Sequence, residues 1–322
     1  MNPRLQTTSY SCIAFLFLLG SAASAQEATL FSAWTRAEPC CSSKPKCFTP
    51  IMFGDILPYI EQDNITDGTS NTRKRLVALP VSYGALKIAE NEGVRPQDRV
   101  FGSYNYYNNV LGIADVHREI IGFEKTFLNG NASIGLRVPF YQSIADSGRN
   151  QAAFDDLTVI LKYAVINRPD VVVSTGIAVT VPTGPGYQPI VGDARDVTYL
   201  QPFIGAYYGK GNVYVHGFSS FVYPTDTVAP AVWFNDLGVG YFWQLKGRWL
   251  TAIVPTAEVH VTTPMNHRSQ ADPERRRDTV DLTGGAHFLF GNRTSIGVAV
   301  GTPVTGPRPF SVEGLLNFNW RY

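Results

Sequence analysis

Hydrophobic and polar residues alternate along the last thirteen residues of the chain. Apolar or aromatic side chains occupy every second position and polar side chains lie between them, with Leu315 as the exception. The first set comprises Phe310, Val312, Leu316, Phe318, Trp320 and Tyr322, and the second comprises Ser311, Glu313, Asn317, Asn319 and Arg321. A period of two is typical of a β-strand with one face against an apolar phase and the other against water. The pattern therefore predicts an amphipathic strand over 310–322.

The same alternation recurs along the chain from Arg99 onward and predicts twelve strands in total. The predicted strands are 100–110, 117–127, 132–140, 157–165, 171–181, 197–208, 213–223, 237–245, 249–261, 280–290, 296–304 and 310–322. Most of them are close to the length of about 9–11 residues that a tilted strand needs to cross a membrane. An even number of such strands is compatible with a closed antiparallel barrel.

Short and long connections alternate between these strands. Tight turns rich in Gly and Asn lie at 128–130, 167–170, 209–212, 247–248 and 291–293, and longer polar links lie at 141–155, 182–196, 224–235 and 262–278. In an up-and-down transmembrane barrel, short turns face the periplasm and longer loops face the outside. The rule places the links 111–116 and 306–309 outside, although both are short. We therefore expect the first strand to begin, and the last to end, on the periplasmic side.

Parity alone does not decide which face of each strand points inward. A soluble barrel turns its apolar row inward, whereas a membrane barrel turns that row to lipid and lines its lumen with the polar row. Charged residues make up only 16% of the chain, compared with about 25% in a typical soluble domain. Aromatic residues at strand ends also favour a membrane barrel, namely Tyr207, Tyr208, Tyr223, Trp249, Trp320 and Tyr322. The strands 197–208 and 213–223 are apolar or aromatic on both faces, so their orientation stays open.

The membrane interpretation predicts a polar lumen with charges of both signs. Its lining candidates are Arg118, Glu124, Arg137, Lys162, Glu258, His260 and His287. Mixed charges predict no strong preference for anions or cations. The net charge of +1 gives no electrostatic footprint for nucleic acid.

The first 25 residues are typical of a secretory signal peptide. Arg4 gives a positive start, 13–19 is apolar, and Ala23-Ser24-Ala25 forms a cleavage site. The apolar run is shorter than the roughly 20 residues of a membrane-spanning helix. We therefore expect export to the outer membrane. Residues 26–98 lack regular alternation and form a pre-barrel segment, which lies either in the periplasm or in the barrel as a plug.

Three cysteines lie close together in this pre-barrel segment: Cys40, Cys41 and Cys47. One hypothesis is a disulfide that joins Cys47 to Cys40 or Cys41 and leaves one thiol over, because an exported protein enters an oxidising compartment. A thiolate metal site lacks a fourth ligand nearby. The third alternative is that the cysteines are unpaired.

The terminal sequence Leu316-Asn317-Phe318-Asn319-Trp320-Arg321-Tyr322, the Gly/Asn turns and the strand rhythm resemble a known family. They are similar to the outer-membrane channels associated with the meta-pathway of phenol degradation, over roughly residues 99–322. The resemblance implies a transmembrane barrel linked to uptake of aromatic or other hydrophobic compounds. The aromatic-rich strand 310–322 also resembles the assembly signal of outer-membrane barrels, which implies the barrel-assembly machinery as a partner.

The sequence lacks the signatures of an enzyme. It contains no H-E-x-x-H, no G-x-S-x-G elbow and no phosphate-binding loop. His260 and His287, with Glu258, form a candidate metal set if they lie close together, and ordinary luminal polarity is the alternative. The loop cluster Arg275, Arg276 and Arg277 binds lipopolysaccharide phosphates, steers anionic solutes or is simply solvated. We predict no enzymatic activity, no cofactor and no resident metal.

Together these observations predict an all-β, up-and-down antiparallel transmembrane barrel of about twelve strands after an irregular segment. Its expected function is passive uptake of small solutes, including hydrophobic or aromatic ones, across the outer membrane. Two alternatives remain open. One is a non-conducting barrel that binds a partner through the loops 224–235 and 262–278. The other is a secreted soluble all-β binding protein.

Overall fold

A computed structural model describes residues 49–54, 86–110, 114–145, 150–184, 193, 195–269, 277–305, 308 and 310–322. All of them belong to one compact unit, Ala37–Tyr322. The twelve long strands are β1 (Arg99–Val110), β2 (Ala114–Phe127), β3 (Ala132–Ala145), β5 (Leu157–Asn167), β6 (Val171–Val181), β7 (Tyr199–Lys210), β8 (Val213–Pro224), β9 (Val232–Tyr241), β11 (Leu250–Pro264), β12 (Thr279–Phe290), β13 (Thr294–Pro303) and β14 (Val312–Arg321). Two short strands, β4 (Asn150–Phe154) and β10 (Trp243–Gln244), pair with β3 and β11 respectively.

The sheet closes on itself. Each long strand pairs antiparallel with its neighbours in chain order, and β14 pairs with β1 from Arg99↔Arg321 to Asn108↔Val312. A closed sheet has no free edge, so its backbone hydrogen bonds are satisfied by neighbouring strands. The all-β class, the up-and-down topology and the twelve long strands confirm the prediction from the sequence.

The predicted strand bounds differ most from the structure at two places, and β2 and β11 also extend into the predicted links 111–116 and 262–278. The predicted loop 141–155 contains the end of β3 and the short strand β4, in which Phe154 packs on Phe140 with ring centroids 4.4 Å apart. The strand predicted at 237–245 begins at Val232 and ends at Tyr241. Val232 and Phe234 point inward and are buried in a satellite cluster, while Trp233 between them is exposed. Because both faces are apolar there, the period of two is invisible in the sequence.

The apolar rows of the strands face outward and the polar rows face inward. In β5, Leu161 and Tyr163 are 46% and 40% exposed, whereas Lys162 between them is 3% exposed. The same inversion holds in β13, where Val298 and Val300 are exposed and Ala299 is buried. Charged side chains are rarely buried in soluble proteins unless they are paired. This barrel is therefore apolar outside and charged inside.

Exposed aromatic residues form two bands on the outer surface. At the end with the short turns, the short-turn end, they include Phe127, Tyr208, Tyr241, Trp243, Trp249, Phe290, Trp320 and Tyr322. At the opposite, long-loop end they are Phe154, Tyr223 and Trp233. Tyr207, another aromatic residue at the end of a predicted strand, points inward and is buried. Two aromatic bands flanking an apolar surface are the pattern of a membrane-spanning barrel.

The two strands of undetermined orientation turn aromatic residues into the barrel. Phe203 and Tyr207 of β7 and Tyr214 and Phe218 of β8 are buried. Phe203 lies against Gly176 of β6, where a Cβ would overlap its ring. Both faces are apolar because the outer one lies on the apolar surface and the inner one packs against a segment inside the barrel.

Candidate functional site

Two stretches that precede the first strand lie inside the barrel, and together we call them the luminal insert: residues 49–54 and 86–98. They pair through a bridge between Ile51 and Gly93 and through hydrogen bonds from Met52 N to Glu92 O (2.9 Å) and from Asn91 N to Phe53 O (3.4 Å). Their side chains contact inward residues of strands around the whole wall, from β1 and β2 to β11, β12 and β14. The insert therefore occupies the lumen.

The insert enters at the short-turn end. The Arg95 guanidinium donates to Thr49 Oγ1 (2.8 Å) and to the carbonyl oxygen of Arg168 (2.6 Å), and it contacts Asn167 Oδ1. Arg168 belongs to the short turn between β5 and β6. From there, residues 49–54 run into the barrel beside residues 91–93, so that Gly54 and Leu86 both lie buried in the interior.

Glu92 of the insert is bound by three cations of the wall. Its Oε1 accepts a hydrogen bond from Lys162 Nζ at 2.7 Å, and its Oε2 lies 3.0 Å from Arg137 Nη2 and 2.9 Å from Arg99 Nη2. All of these side chains are buried. Burying a carboxylate is costly unless it is paired and hydrogen-bonded, and this arrangement satisfies both of its oxygens.

Glu124 of β2 is the wall's own counter-charge in this cluster. It lies 2.8 Å from Lys162 Nζ and accepts from Arg99 Nε at 2.9 Å, from Ser133 Oγ at 2.7 Å and from the backbone N–H of Gln97 at 3.2 Å. The cluster contains three cations, Arg99, Arg137 and Lys162, and two carboxylates. The insert therefore supplies one of the two negative charges that balance it.

Two arginines of the wall hold the turn at residues 88–91. Arg137 donates to the carbonyl oxygens of Lys87 (3.0 Å) and Ile88 (3.1 Å), and Arg118 Nη2 donates to Glu90 Oε2 (3.0 Å). These are charge-assisted hydrogen bonds between buried groups, which are stronger than neutral ones. The irregular backbone of the insert is thus fixed by side chains of β2 and β3.

The opposite wall binds the insert with carboxylates. The two oxygens of Glu258 accept from Phe53 N (2.9 Å) and Gly54 N (3.1 Å). Asp236 Oδ1 lies 2.7 Å from Lys87 Nζ and 2.9 Å from His260 Nδ1. Cations of β1, β2, β3 and β5 therefore bind the acidic groups of the insert, whereas carboxylates of β9 and β11 bind its lysine and the amides of Phe53 and Gly54.

The remaining contacts of the insert are apolar. Met52, Ile88, Ala89 and Val94 form one buried cluster with inward side chains of β5 to β8, β11 and β12. The Phe53 ring stacks on His287 with centroids 4.1 Å apart. This cluster explains the inward aromatic residues of β7 and β8, which would otherwise line water.

All seven predicted lining residues face inward and are buried, and six of them contact the insert directly: Arg118, Glu124, Arg137, Lys162, Glu258 and His287. The seventh, His260, binds Asp236, the partner of Lys87. His287 pairs opposite Val254, six residues along β11 from His260, which separates their backbones by about 20 Å. The condition for a metal set, that His260 and His287 lie close together, is therefore not met.

The other predicted groups lie largely outside the described residues. Arg277 is exposed at the end of its loop, whereas Arg275 and Arg276 are not described. The signal peptide 1–25 and the cysteines Cys40, Cys41 and Cys47 are not described either. Within the ranges that the structure covers, no helix is long and apolar enough to span a membrane. Across those ranges, no group of three or more His, Cys, Asp or Glu side chains is arranged to hold a metal ion.

The residues on the insert side of these contacts were not predicted from the sequence. Lys87, Glu90 and Glu92 follow no periodic pattern, and nothing local distinguishes them from solvated charges. Asp236 fell at the edge of a predicted loop. One usable signal was present, because two neighbouring strands with apolar residues on both faces require a second apolar partner inside the barrel.

No protein-family model and no curated protein sequence matches the chain. Solved structures are similar in fold. An outer membrane channel from Pseudomonas putida F1 superposes with a TM-score of 0.53 and 11% identity, over 70% of this chain and 96% of that one. A NanC porin and a KdgM porin give TM-scores of 0.45 and 0.46 at 9% and 8% identity, over 70% of this chain and 98% and 99% of theirs. The similarity to the channel establishes the fold, which is that of outer-membrane β-barrels.

Proposed function

We propose that the protein is an outer-membrane channel for passive entry of small solutes, with a lumen that its own insert closes. The observation that supports this function most directly is the inversion of the barrel, apolar outside between two aromatic bands and charged inside. Soluble monomers rarely expose apolar patches of more than a few hundred Å². The exposed rows of this barrel continue around its whole circumference, as lipid contact requires.

The length of the strands agrees with this placement. Strands of 10–15 residues at a rise of about 3.3 Å per residue and a tilt of about 40° span roughly 25–35 Å. The apolar band of outer-membrane barrels is about 25 Å tall. By the rule for connections, the short-turn end lies in the periplasm, so the insert enters from that side.

The insert is the feature that separates this channel from an open pore. It is held by ion pairs, charge-assisted hydrogen bonds and packing, and its described residues pair in a single bridge outside the strands. Such contacts form and break without a change in the barrel strands. We propose that solutes pass when the insert shifts, and that the insert is the plug expected as one alternative for residues 26–98.

The family and the partners are part of the same proposal. The C-terminal sequence supports placement with the channels associated with the meta-pathway of phenol degradation, and hence uptake of aromatic or hydrophobic compounds. Strand β14 closes the barrel with β1, which suits it for recognition by the barrel-assembly machinery. Lipid and lipopolysaccharide are the partners of the outer surface and the long-loop end.

A second candidate is a non-conducting barrel that binds a partner through its loops. The filled lumen favours it, because the charges that would line an open pore are paired with the insert. A conducting channel and a filled structural barrel share the outer surface. They differ in whether ions pass through the purified protein.

The proposal is tested by expressing the protein with its leader and fractionating the cells. We expect the protein in the outer membrane, with an unboiled gel band that migrates faster than the boiled one, and brief openings in planar bilayers. A soluble periplasmic or secreted species would contradict the membrane placement. A folded membrane band that never conducts, with or without the insert, would favour the structural barrel.

A further inference from the structure

The wall of the lumen contains a binding site for a carboxylate, and the insert occupies it with Glu92. Three strand residues, Arg99, Arg137 and Lys162, surround that carboxylate at 2.7–3.0 Å. They come from β1, β3 and β5, three strands of the rigid barrel. The ligand comes instead from the irregular insert. The binding groups are thus built into the wall, while their occupant belongs to the insert that the proposed channel must displace to open.

The charge balance changes when the insert leaves. With Glu92 in place the cluster has three cations and two carboxylates, and without it three cations face Glu124 alone. Departure of Glu90 also releases Arg118. Buried or partly buried cations without partners are unfavourable, so the open lumen gains stability from any anion that takes the vacated place.

An apolar wall adjoins the cationic site. Ile160 lies two residues from Lys162 on the inward face of β5, and it belongs to the buried cluster with Phe203 and Phe218. A cavity of about 10 Å³ lies at this boundary, lined by Glu92, Arg137, Lys162, Phe101 and Ile160 among others. The closed lumen thus has room for about one water there.

The insert contacts the cationic site and the apolar wall at the same time. Glu92 places a carboxylate among the cations, while Val94, two residues further on, joins the apolar cluster with Ile160. A solute that replaces these contacts needs a carboxylate and an apolar body.

We propose that the lumen binds small carboxylates with an aromatic or apolar body, and that such solutes compete with Glu92 and so favour opening. The proposal rests on the proposed channel function and gives it a substrate class. A ligand that binds the open state more tightly than the closed state shifts the population toward the open state, and the size of the shift is set by the ratio of the two affinities.

The test compares Glu92→Gln with unsubstituted protein in planar bilayers. The control variant is Asp170→Asn, which makes the same acid-to-amide change in an exposed turn outside the lumen. Glu92→Gln removes a charge-assisted contact between the insert and the wall, and it is expected to raise the fraction of time that the channel is open about tenfold or more. The open channel is expected to be more permeable to anions than to cations. Asp170→Asn is expected to match the unsubstituted protein.

Three probes then define the ligand: benzoate, its neutral analogue benzamide, and acetate, which lacks the aromatic body. Benzoate is expected to interrupt the current through the Glu92→Gln channel at a concentration at least about tenfold lower than the concentration of benzamide or acetate that has the same effect. Adding Lys162→Met should abolish that preference. Equal effects of benzoate and benzamide on a conducting Glu92→Gln channel would overturn the carboxylate site and leave the channel function standing.

A second measurement applies if Glu92→Gln gives no folded, fast-migrating band. Benzoate added to the unsubstituted protein should then raise the frequency of openings, while benzamide should not. Openings that are insensitive to benzoate would overturn the proposal. A folded barrel that conducts in none of these proteins would overturn the channel function itself, and the substrate class with it.

Discussion

The outward and inward faces of the same twelve strands differ in how far apart in sequence the residues are that determine them. Outside, each position follows from its neighbours in sequence, because a period of two places every second side chain on the apolar surface. Inside, the contacts join residues that are far apart, as between Phe53 and Glu258, 205 residues apart. Alternation therefore sorts the side chains of each strand into two opposite rows but says nothing about what fills the lumen.

A charge on the outward face should have the largest effect. Val298 lies midway along β13 and is 48% exposed. Val298→Arg is expected to lower the free energy of unfolding by about 2–4 kcal/mol, because an arginine at the bilayer midplane is poorly solvated. Urea titration of the protein in lipid vesicles, read by the fast-migrating gel band, measures this. Val298→Leu should be near neutral, and an equally small effect of the arginine would indicate that Val298 faces water.

Loosening one contact on the inward face should have an intermediate effect. Glu258→Gln removes a charge-assisted acceptor from the amides of Phe53 and Gly54, a loss of about 1.5–3 kcal/mol. Hydrogen exchange of a peptide covering 49–54 should therefore accelerate about tenfold or more.

The matched control for that exchange experiment is Glu119→Gln. Glu119 is on the outward row of β2, so the same chemical change lies on the other face of the wall. It should leave exchange in 49–54 unchanged. Equal acceleration in both variants would show that the effect is not specific to the luminal contact.

The smallest effect concerns a single ring contact on the inward face. Phe53 stacks on His287 at an interplanar angle of 9°, and such pairs contribute about 0.5–1.5 kcal/mol beyond their buried area. A double-mutant cycle with Phe53→Leu and His287→Leu should give a coupling free energy in that range by urea unfolding. Additive effects of the two substitutions would indicate that the insert does not hold Phe53 against β12.

The sequence was sufficient to predict the fold because each strand is encoded locally. The alternation of 310–322 and the Gly/Asn turn near 129 need no knowledge of the rest of the chain. The start of β9 was missed because Val232, Trp233 and Phe234 are all apolar, so the two faces have no polar contrast. The short strand β4 was missed because it lies in a segment that we expected to be a loop.

In the candidate site, the residues of the barrel wall were predictable from the sequence, but their partners in the insert were not. Arg137 and Lys162 are charges on the row opposite the apolar one, so the membrane interpretation placed them in the lumen. Their partner Glu92 lies in a segment without periodicity, and its pairing is set by tertiary contacts across 45 and 70 residues. A polar lumen with mixed charges was therefore predictable from the sequence, but the insert that those charges bind was not.

The central claim is that residues before the first strand close a membrane-spanning barrel. It is tested most directly by the single-channel conductance of two proteins that both retain residues 1–25: the full chain and a variant lacking residues 26–98. Both are first shown to give a folded, fast-migrating gel band. We predict brief openings from the full chain and a persistent, several-fold larger conductance from the deletion variant, because a twelve-stranded barrel without the insert has an open lumen. Equal conductance of the two folded proteins would contradict the account.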